Sequence, residues 1–222
     1  MAKSPPAGLR SFLCAPANHP RKVEKLLVSG ADAIILDLED AVAVAEKEAA
    51  RAQAVAAMKQ PRSARGFVRI NGFDSRYWMA DLEAVVGPWI DGIVLPKAEG
   101  AEQLRAVDVR ISQMERRAGM KEGTLELMPL VETAKGIENA TAIAGASARV
   151  RRLSFGGGDY TNDLDLIWTA EERELDYARA RLAHASRVAG IAPPVDTVVI
   201  QVKDTQRFLQ SAQNGRRMGF QG

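Results

Sequence analysis

The sequence has little of what several common classes of protein require. It has one cysteine, Cys14, and two histidines, too few for an internal disulfide framework or a zinc site. Aromatic residues make up 5% of the chain and long blocks of like charge are absent, so nothing indicates a nucleic-acid partner. Residues 1–6 lack the apolar core of a signal peptide, and no run of about 18 apolar residues occurs. We therefore expect a cytoplasmic protein that binds neither membrane nor nucleic acid.

What is present is ordinary for a folded protein with a sizeable core. Of the 222 residues, 46% are hydrophobic and 26% are charged. The 30 basic and 28 acidic residues leave a net charge of +2, which favours no strongly charged partner. The length predicts a single domain over residues 1–222.

Short apolar runs alternate with helical patterns along the chain. Six runs are predicted strands, at 11–16, 33–40, 66–71, 92–97, 127–133 and 153–159, and a seventh at 191–199 is made irregular by Pro193 and Pro194. Helices are predicted at about 20–30, 43–59, 80–86, 101–117 and 205–216, and residues 134–152 read as one helix with short turns. The apolar runs are nearly continuous, which is typical of parallel strands buried on both faces.

Seven such units and the beginning of an eighth predict a (β/α)₈ barrel, the TIM barrel, rather than an open doubly wound sheet. Barrels of this type have about 250 residues. An eighth strand ending at Gly222 would be incomplete. We therefore expect a single TIM-barrel domain that lacks a C-terminal tail or lid segment.

Two acidic residues, Glu132 and Asp159, each close an apolar run. Because a helical crossover separates the two runs, their strands are expected to be parallel and adjacent. Neighbouring strands lie about 4.8 Å apart. The two carboxylates could therefore meet over one hard divalent cation.

Polar residues also stand at the carboxyl ends of other predicted strands, where barrel enzymes have their active sites. Each alone could be a solvated loop residue or part of a salt-bridge ring, but their joint placement favours a functional site. They are Asp37, Glu39, Asp40, Arg69, Asn71 and Lys97.

Three glycines, Gly156 to Gly158, precede Asp159. They do not form a dinucleotide-binding fingerprint, because no GxGxxG follows the first predicted strand. Either a tight turn after the strand or close approach of the backbone to a ligand would explain them.

Several sequence blocks, in order over essentially the whole chain, resemble the citrate lyase β-subunit (CitE-like) proteins of the HpcH/HpaI aldolase superfamily. The blocks are Arg-Ser-Phe-Leu-Cys-Ala-Pro-Ala-Asn at 10–18, Gly-Ala-Asp-Ala-Ile-Ile-Leu-Asp-Leu-Glu-Asp-Ala-Val at 30–42, Val-Arg-Ile-Asn at 68–71, Val-Leu-Pro-Lys-Ala-Glu at 94–99, Leu-Val-Glu-Thr at 130–133 and Phe-Gly-Gly-Gly-Asp at 155–159.

This resemblance implies a Mg²⁺-dependent carbon–carbon lyase. Such an enzyme would cleave a 3-hydroxyacyl thioester, of citramalyl-, malyl- or citryl-CoA type, into an acyl-CoA such as acetyl-CoA and a 2-oxo acid. It implies that Glu132 and Asp159 bind the metal and that Arg69 contacts substrate oxygens. It also implies that Glu39 and Asp40 act at the same end of the barrel. A fixed guanidinium suits this chemistry because it can stabilise the developing oxyanion.

The resemblance also implies that the first loop, residues 16–22, approaches the coenzyme A moiety, with Asn18 and Lys22 as substrate-binding residues. Relatives usually have Pro-Gly-Asn where this chain has Pro-Ala-Asn at 16–18, so the loop is expected to differ in shape. In several relatives a C-terminal segment supplies an acid–base aspartate to a neighbouring subunit, and a homotrimer is expected for that reason. The corresponding segment is absent after Phe220, so the general base is unassigned.

Two further functions stay open at this point. One is an aldolase that cleaves a free 2-oxo-4-hydroxy acid, which the loop around Ala17 would favour if it does not admit coenzyme A. The other is a β-subunit that acts only within a citrate lyase complex, or a relative that binds ligand without turnover.

Overall fold

Six parallel strands form one sheet in the computed structural model, which describes residues 8–222, and they lie in the order of the sequence. Because all strands run in the same direction, their carboxyl ends collect at one edge, where Pro16, Asp37 and Arg69 are neighbours in register. The strands are β1 (Phe12–Pro16), β2 (Ala33–Asp37), β3 (Arg65–Arg69), β4 (Gly92–Leu95), β5 (Glu126–Val131) and β6 (Ser154–Phe155).

Helices connect the strands, as the alternating pattern predicts. The first begins at Pro20, whose fixed φ suits a helix start and whose missing N–H is not needed there. The helices are α1 (Pro20–Leu27), α2 (Lys47–Met58), α3 (Trp78–Val85), α4 (Ala101–Arg117), α5 (Ala134–Glu138), α6 (Ala140–Ala144), α7 (Gly157–Asp163), α8 (Asp176–Ala189) and α9 (Thr205–Arg217), with 3₁₀ turns at Val44–Glu46 and Arg173–Leu175.

The single helix predicted within residues 134–152 is wrong, because the chain forms the two short helices α5 and α6 there. Asn139 ends the first and begins the second, with φ and ψ of −87° and 7°. Its side-chain amide donates a hydrogen bond to the Glu99 carbonyl at 2.8 Å. This contact ties the break between the helices to the loop that follows β4.

Both faces of the sheet are buried. In β2, Ile34 and Leu36 belong to the large apolar cluster between sheet and helices, whereas Ala33 and Ile35 belong to a smaller cluster on the opposite face. The smaller cluster also contains Phe12, Phe67, Val94, Met128, Leu130 and Val195. Side chains from β1 to β5 can meet on one face only if the sheet is curled, so this cluster fills its concave side.

The predicted (β/α)₈ barrel is confirmed in part: the described chain has an α/β fold with a curled parallel sheet of six strands. The predicted seventh strand is reduced to one bridge between Val195 and Ser154. Pro193 and Pro194 explain the reduction, because proline offers no N–H to a ladder. Beyond the bridge, Gln221 donates to the Pro194 carbonyl at 3.1 Å.

Within residues 8–222, no helix has both the length and the apolar character needed to cross a membrane. The N-terminal residues 1–6, which the sequence analysis considered for a signal peptide, lie outside the described part of the chain.

A buried ionic cluster fixes α4 against the start of β5. Arg149 lies just before β6 and its Nη2 is 2.6 Å from Glu115 of α4. Nη2 also donates to Ser112 at 2.8 Å, while Nε donates to Asp108 at 2.5 Å and Nη1 to the Leu125 carbonyl at 3.1 Å. The Arg149 side chain therefore joins three parts of the chain: the segment before β6, helix α4 and the start of β5.

We expect Arg149→Ala to lower the free energy of unfolding by about 3–5 kcal/mol, because it leaves the Glu115 carboxylate buried without its charged partner. Urea denaturation measures this change. The control is Arg116→Ala, whose partner Glu122 is exposed and whose loss should cost about 1 kcal/mol or less. Equal losses for the two variants would contradict this assignment.

Candidate active site

A bidentate ion pair joins the carboxyl ends of β2 and β3. Arg69 donates through Nε and Nη2 to the two carboxylate oxygens of Asp37, each at 2.7 Å. Burial alone would raise the pKa of Asp37, but the hydrogen bonds and charge of Arg69 outweigh it and hold that pKa below its usual value. The guanidinium is therefore fixed in one orientation, with Nη1 left for other contacts.

Glu39 lies beside this pair and is buried. Its Oε2 is 3.3 Å from Arg69 Nη1 and has no hydrogen-bond partner among residues 8–222, while its Oε1 is 2.5 Å from Lys97 Nζ. Burial raises the pKa of Glu39, against the lowering effect of Arg69 and Lys97. The result is a buried carboxylate with one oxygen unsatisfied.

Asp40 differs from Glu39 although the two are adjacent. Its side chain is mainly exposed, and its one recorded ion pair is with Lys97 at 2.9 Å. A carboxylate in that setting is well hydrated, and its contact is worth little. Of the two acids assigned together from the sequence, Glu39 has the environment expected of a reacting group.

Lys47 stabilises the turn that carries Glu39. The Lys47 ammonium donates to the carbonyls of Leu38 at 2.9 Å and Glu39 at 3.0 Å, and to Asn71 Oδ1 at 2.6 Å. Asn71 donates in turn to Asp81 Oδ2 at 2.6 Å. Asn71 therefore supports the turn rather than facing a ligand.

Sequence reasoning missed Lys47 and Asp81, although a signal was present. Lys47 belongs to the same buried helix stripe as Ala50, Ala54 and Met58. Asp81 likewise shares the buried side of α3 with Val85. A charged residue at an apolar position of a predicted helix indicates a buried polar contact.

Glu132 follows β5 directly, as predicted, and is buried. The backbone N–H of Lys97 donates to its Oε1 at 2.8 Å. Burial raises the pKa of Glu132 to about 8, partly opposed by that hydrogen bond and assisted by the charges of Asp159 and Glu39. A nearby cation would offset this unfavourable burial of charge.

Asp159 is not at a strand tip, which corrects the prediction. The strand ends at Phe155, and the following residues form α7, with Asp159 in its first turn. The parallel pairing of β5 with β6 is confirmed, so both acids still reach the same edge. The Asp159 side chain is 41% exposed, and its Oδ2 lies 3.9 Å from Lys97 Nζ.

The three glycines do not form a tight turn, because α7 begins at Gly157. They also differ in how much space surrounds them. A Cβ on Gly156 would collide with the Glu132 carboxylate, whereas one on Gly158 would meet only Trp168, at 3.8 Å. Gly157 begins α7 and donates its N–H to Thr197 Oγ1 at 2.8 Å. Glycine is thus needed at 156 because the backbone passes so close to Glu132.

Asn18 and Lys22, assigned to coenzyme A from the sequence, make no recorded contact with this group within residues 8–222. Asn18 donates to Glu46 at 2.9 Å, and its Oδ1 is buried without a partner. Lys22 is exposed on α1, beside a cavity of about 200 Å³ that Cys14 also lines. Cys14 is exposed, because β1 is the end strand of the sheet.

The charges at this edge are unbalanced. Two cations stand among five carboxylates, and one of the cations is already neutralised by its bidentate partner. No three histidine, cysteine or acidic side chains converge into a preformed metal site in the described chain. The charged residues are Asp37, Glu39, Asp40, Glu132, Asp159, Arg69 and Lys97.

Comparison with known proteins decides the family. The family profile of HpcH/HpaI aldolase/citrate lyase matches residues 10–222. The chain belongs to the HpcH/HpaI aldolase/citrate lyase family. This confirms the resemblance drawn from the sequence blocks.

Members of the family that resemble the chain are lyases. The chain is 37% identical over 215 residues to the citrate lyase subunit beta of Leuconostoc mesenteroides subsp. cremoris, covering 96% of this chain and 71% of that one. It is 31% identical over 235 residues to the L-malyl-CoA/beta-methylmalyl-CoA lyase of Cereibacter sphaeroides, covering 96% and 73%. The prediction of a lyase is confirmed at this level.

A solved structure of the family has the same fold. The citrate lyase beta subunit from M. tuberculosis, complexed with oxaloacetate and magnesium, superposes with a TM-score of 0.78 at 28% identity. The match covers 97% of this chain and 90% of that chain.

We expect Glu132→Gln to stabilise the protein in buffer containing a metal chelator, increasingly so as pH rises. The folded protein keeps a proton on Glu132 up to about pH 8, whereas the unfolded chain releases it near its ordinary pKa of 4.5. Stability of the wild type therefore falls across this window and levels off above it, because the buried charge is then fully formed.

Glutamine carries no charge at any pH and can still accept the Lys97 hydrogen bond. Since one pKa unit corresponds to about 1.4 kcal/mol, the shift from 4.5 to about 8 should give the variant an advantage of roughly 5 kcal/mol above pH 8. Urea denaturation of both proteins from pH 5 to pH 9 measures it. A difference that does not change with pH would contradict the buried-carboxylate assignment.

Proposed function

We propose that this protein is a Mg²⁺-dependent lyase that cleaves the carbon–carbon bond of a 3-hydroxyacyl-CoA thioester. The products would be an acyl-CoA such as acetyl-CoA and a 2-oxo acid. The substrate class is drawn from citramalyl-, malyl- and citryl-CoA. The observation that carries the proposal is the fixed guanidinium of Arg69 beside two buried carboxylates, Glu39 and Glu132, at one edge of the sheet.

The relatives support this choice of reaction. One of them is named for malyl-CoA and methylmalyl-CoA cleavage, and another for citrate lyase. The related solved structure holds a 2-oxo acid, oxaloacetate, together with magnesium.

Glu132 and Asp159 fit the role of Mg²⁺ ligands. Glu132 is a buried carboxylate whose ionised form is unfavourable without a cation, and Asp159 is a partly exposed acid at the same edge. Two carboxylates suit Mg²⁺, which keeps several coordination positions for water and substrate oxygens. When bound, Mg²⁺ lowers the pKa of a coordinated hydroxyl and polarises a keto oxygen.

Arg69 would stabilise the negative charge that develops on the thioester oxygen as the bond breaks. Its orientation is set before substrate arrives, because Asp37 holds two of its nitrogens. A donor fixed in this way does not have to reorganise during the reaction. Lysine could not reproduce the planar fork.

Glu39 is the candidate for proton transfer from the substrate hydroxyl. Its Oε2 is buried and has no hydrogen-bond partner in the described part of the chain, and burial raises its pKa, which makes the carboxylate a better proton acceptor. Asp37 does not fit, because both of its oxygens are bound to Arg69.

The coenzyme A contacts of Asn18 and Lys22 are part of the proposal, as are a trimeric assembly and a cytoplasmic location. The exposed Lys22 ammonium could bind an anionic group, and Asn18 Oδ1, which has no partner among residues 8–222, could accept a hydrogen bond from an N–H or O–H of the ligand.

We expect Gly156→Ala to remove Mg²⁺-dependent stabilisation. The added methyl group would collide with both the carboxylate and the Cβ of Glu132, so the whole Glu132 side chain must move, and the melting transition itself shows whether the variant is folded. With Mg²⁺ at 100 times its dissociation constant in the presence of pyruvate, the wild type should gain about 2.7 kcal/mol relative to pyruvate alone. Thermal melting with and without these ligands measures the gain.

Gly158→Ala is the matched control, since the new methyl group enters open space. It should retain the wild-type ligand shift. A shift retained by Gly156→Ala as well would remove Glu132 from the metal site.

The function itself is tested by incubating the purified protein with citramalyl-, malyl- and citryl-CoA and measuring release of 2-oxo acid. We expect turnover of at least one thioester, and a loss of about 10²-fold or more in kcat for Glu39→Gln. Asp40→Asn should retain most of the activity, because Asp40 is mainly hydrated.

Activity on none of the three would refute the proposal for the isolated chain. Turnover that returns on adding the other subunits of a citrate lyase would favour the complex-dependent alternative. Cleavage of a free 2-oxo-4-hydroxy acid instead would favour the aldolase.

A further inference from the structure

Lys97 has an unusual backbone conformation. Its φ is 49°, in the left-handed region that side chains other than glycine rarely adopt. Asp165 and Glu172 are the other non-glycine residues with positive φ in the described chain. The conformation turns the chain after β4 so that the Lys97 N–H reaches Glu132 Oε1 at 2.8 Å and the next N–H, of Ala98, reaches the Leu130 carbonyl at 3.1 Å.

The Lys97 side chain extends in the other direction, to the end of β2. Its Nζ is 2.5 Å from Glu39 Oε1 and 2.9 Å from Asp40 Oδ2. The side chain is 42% exposed, so ligands and small solutes can reach it. Lys97 thus contacts acids from two different strand ends at the same time.

Each of the two buried acids depends on this one residue. Within residues 8–222, the carboxylate of Glu39 accepts one recorded hydrogen bond, from Lys97 Nζ, and the carboxylate of Glu132 accepts one, from the Lys97 N–H. Arg69 is close to Glu39, but its other nitrogens are committed to Asp37 and its Nη1 makes no hydrogen bond there.

We propose that Lys97 is a positioning residue that holds Glu39 and Glu132 relative to one another, through its ammonium on Glu39 and its backbone N–H on Glu132. The roles of these two acids rest on the proposed function, but the geometry that Lys97 imposes on them does not. The ammonium leaves Glu39 Oε2 free for a ligand, and the backbone leaves Glu132 Oε2 free likewise.

The contacts of Lys97 with Glu39 and with Glu132 can be tested separately, because the first is made by the side chain and the second by the backbone. Lys97→Met removes the ammonium and keeps the N–H. We expect kcat to fall by about 10²-fold, as for loss of a well-placed acid–base group. Mg²⁺ binding should be retained or tightened, because the variant also lacks the ammonium 3.9 Å from Asp159. Lys135→Met is the matched control, since Lys135 pairs with Glu99 at 3.1 Å outside the site and its loss should not affect kcat. A kcat of Lys97→Met equal to that of the control would overturn the proposal.

Chemical rescue excludes a merely structural role. Lys97→Ala leaves an exposed space that a small alkylammonium ion can enter, so propylammonium should restore part of the lost kcat in a saturable manner. A neutral isostere, propanol, should not. Rescue by both or by neither would contradict a role for the ammonium.

A crystal structure of Lys97→Met with Mg²⁺ decides the question even if the wild type cleaves none of the thioesters. The expected result is a Glu39 side chain that has left its wild-type rotamer while Glu132 stays in place. If neither Glu39 nor Glu132 moves in the variant, the positioning role of Lys97 is overturned, while the proposed lyase function is not affected. No release of 2-oxo acid by the wild type, with Glu39 displaced in the variant, would refute the function and support the positioning role.

The backbone contribution has its own test. Glycine adopts positive φ without strain, so Lys97→Gly should melt at a higher temperature than Lys97→Ala, although both lack the ammonium. A lower melting temperature for the glycine variant would show that the left-handed conformation is not held in solution.

Discussion

The pairing of Asp37 with Arg69 is the interaction on which the rest of the candidate site depends. The two residues end adjacent parallel strands and are partners in register, so the sheet itself brings them together. Two charge-assisted hydrogen bonds then fix the guanidinium, and Asp37 also accepts the backbone N–H groups of Glu39 and Ala41. One ion pair therefore orients a cationic donor and shapes the turn that carries the neighbouring acid.

Much of this arrangement could be predicted from the sequence. The alternation of apolar runs with helical patterns is sufficient to predict parallel strands, and parallel strands place their carboxyl ends at one edge. Asp37, Glu39, Arg69, Lys97 and Glu132 meet at that edge as expected. Asp159 joins them from a helix instead, because α7 begins at Gly157, two residues after the strand ends at Phe155.

What could not be predicted depends on contacts between distant parts of the chain. The buried Lys47 and Asp81 occur on helices, and only the packed structure shows that they hold the turn after β2 through Asn71. Neither the composition nor the periodicity of the sequence indicates that Lys97 has a left-handed conformation. The special need for glycine at 156, and not at 158, follows from the position of Glu132, a side chain on another strand.

The hydroxyl of Thr197 connects a C-terminal part of the chain to the candidate site. Thr197 accepts the N–H of Gly157 at the start of α7, only two residues before Asp159. The neighbouring Asp196 is paired with the buried Arg179 of α8, so this segment is anchored on both sides. Residues 196–197 therefore connect the first turn of α7, which carries Asp159, to the buried Arg179 of α8.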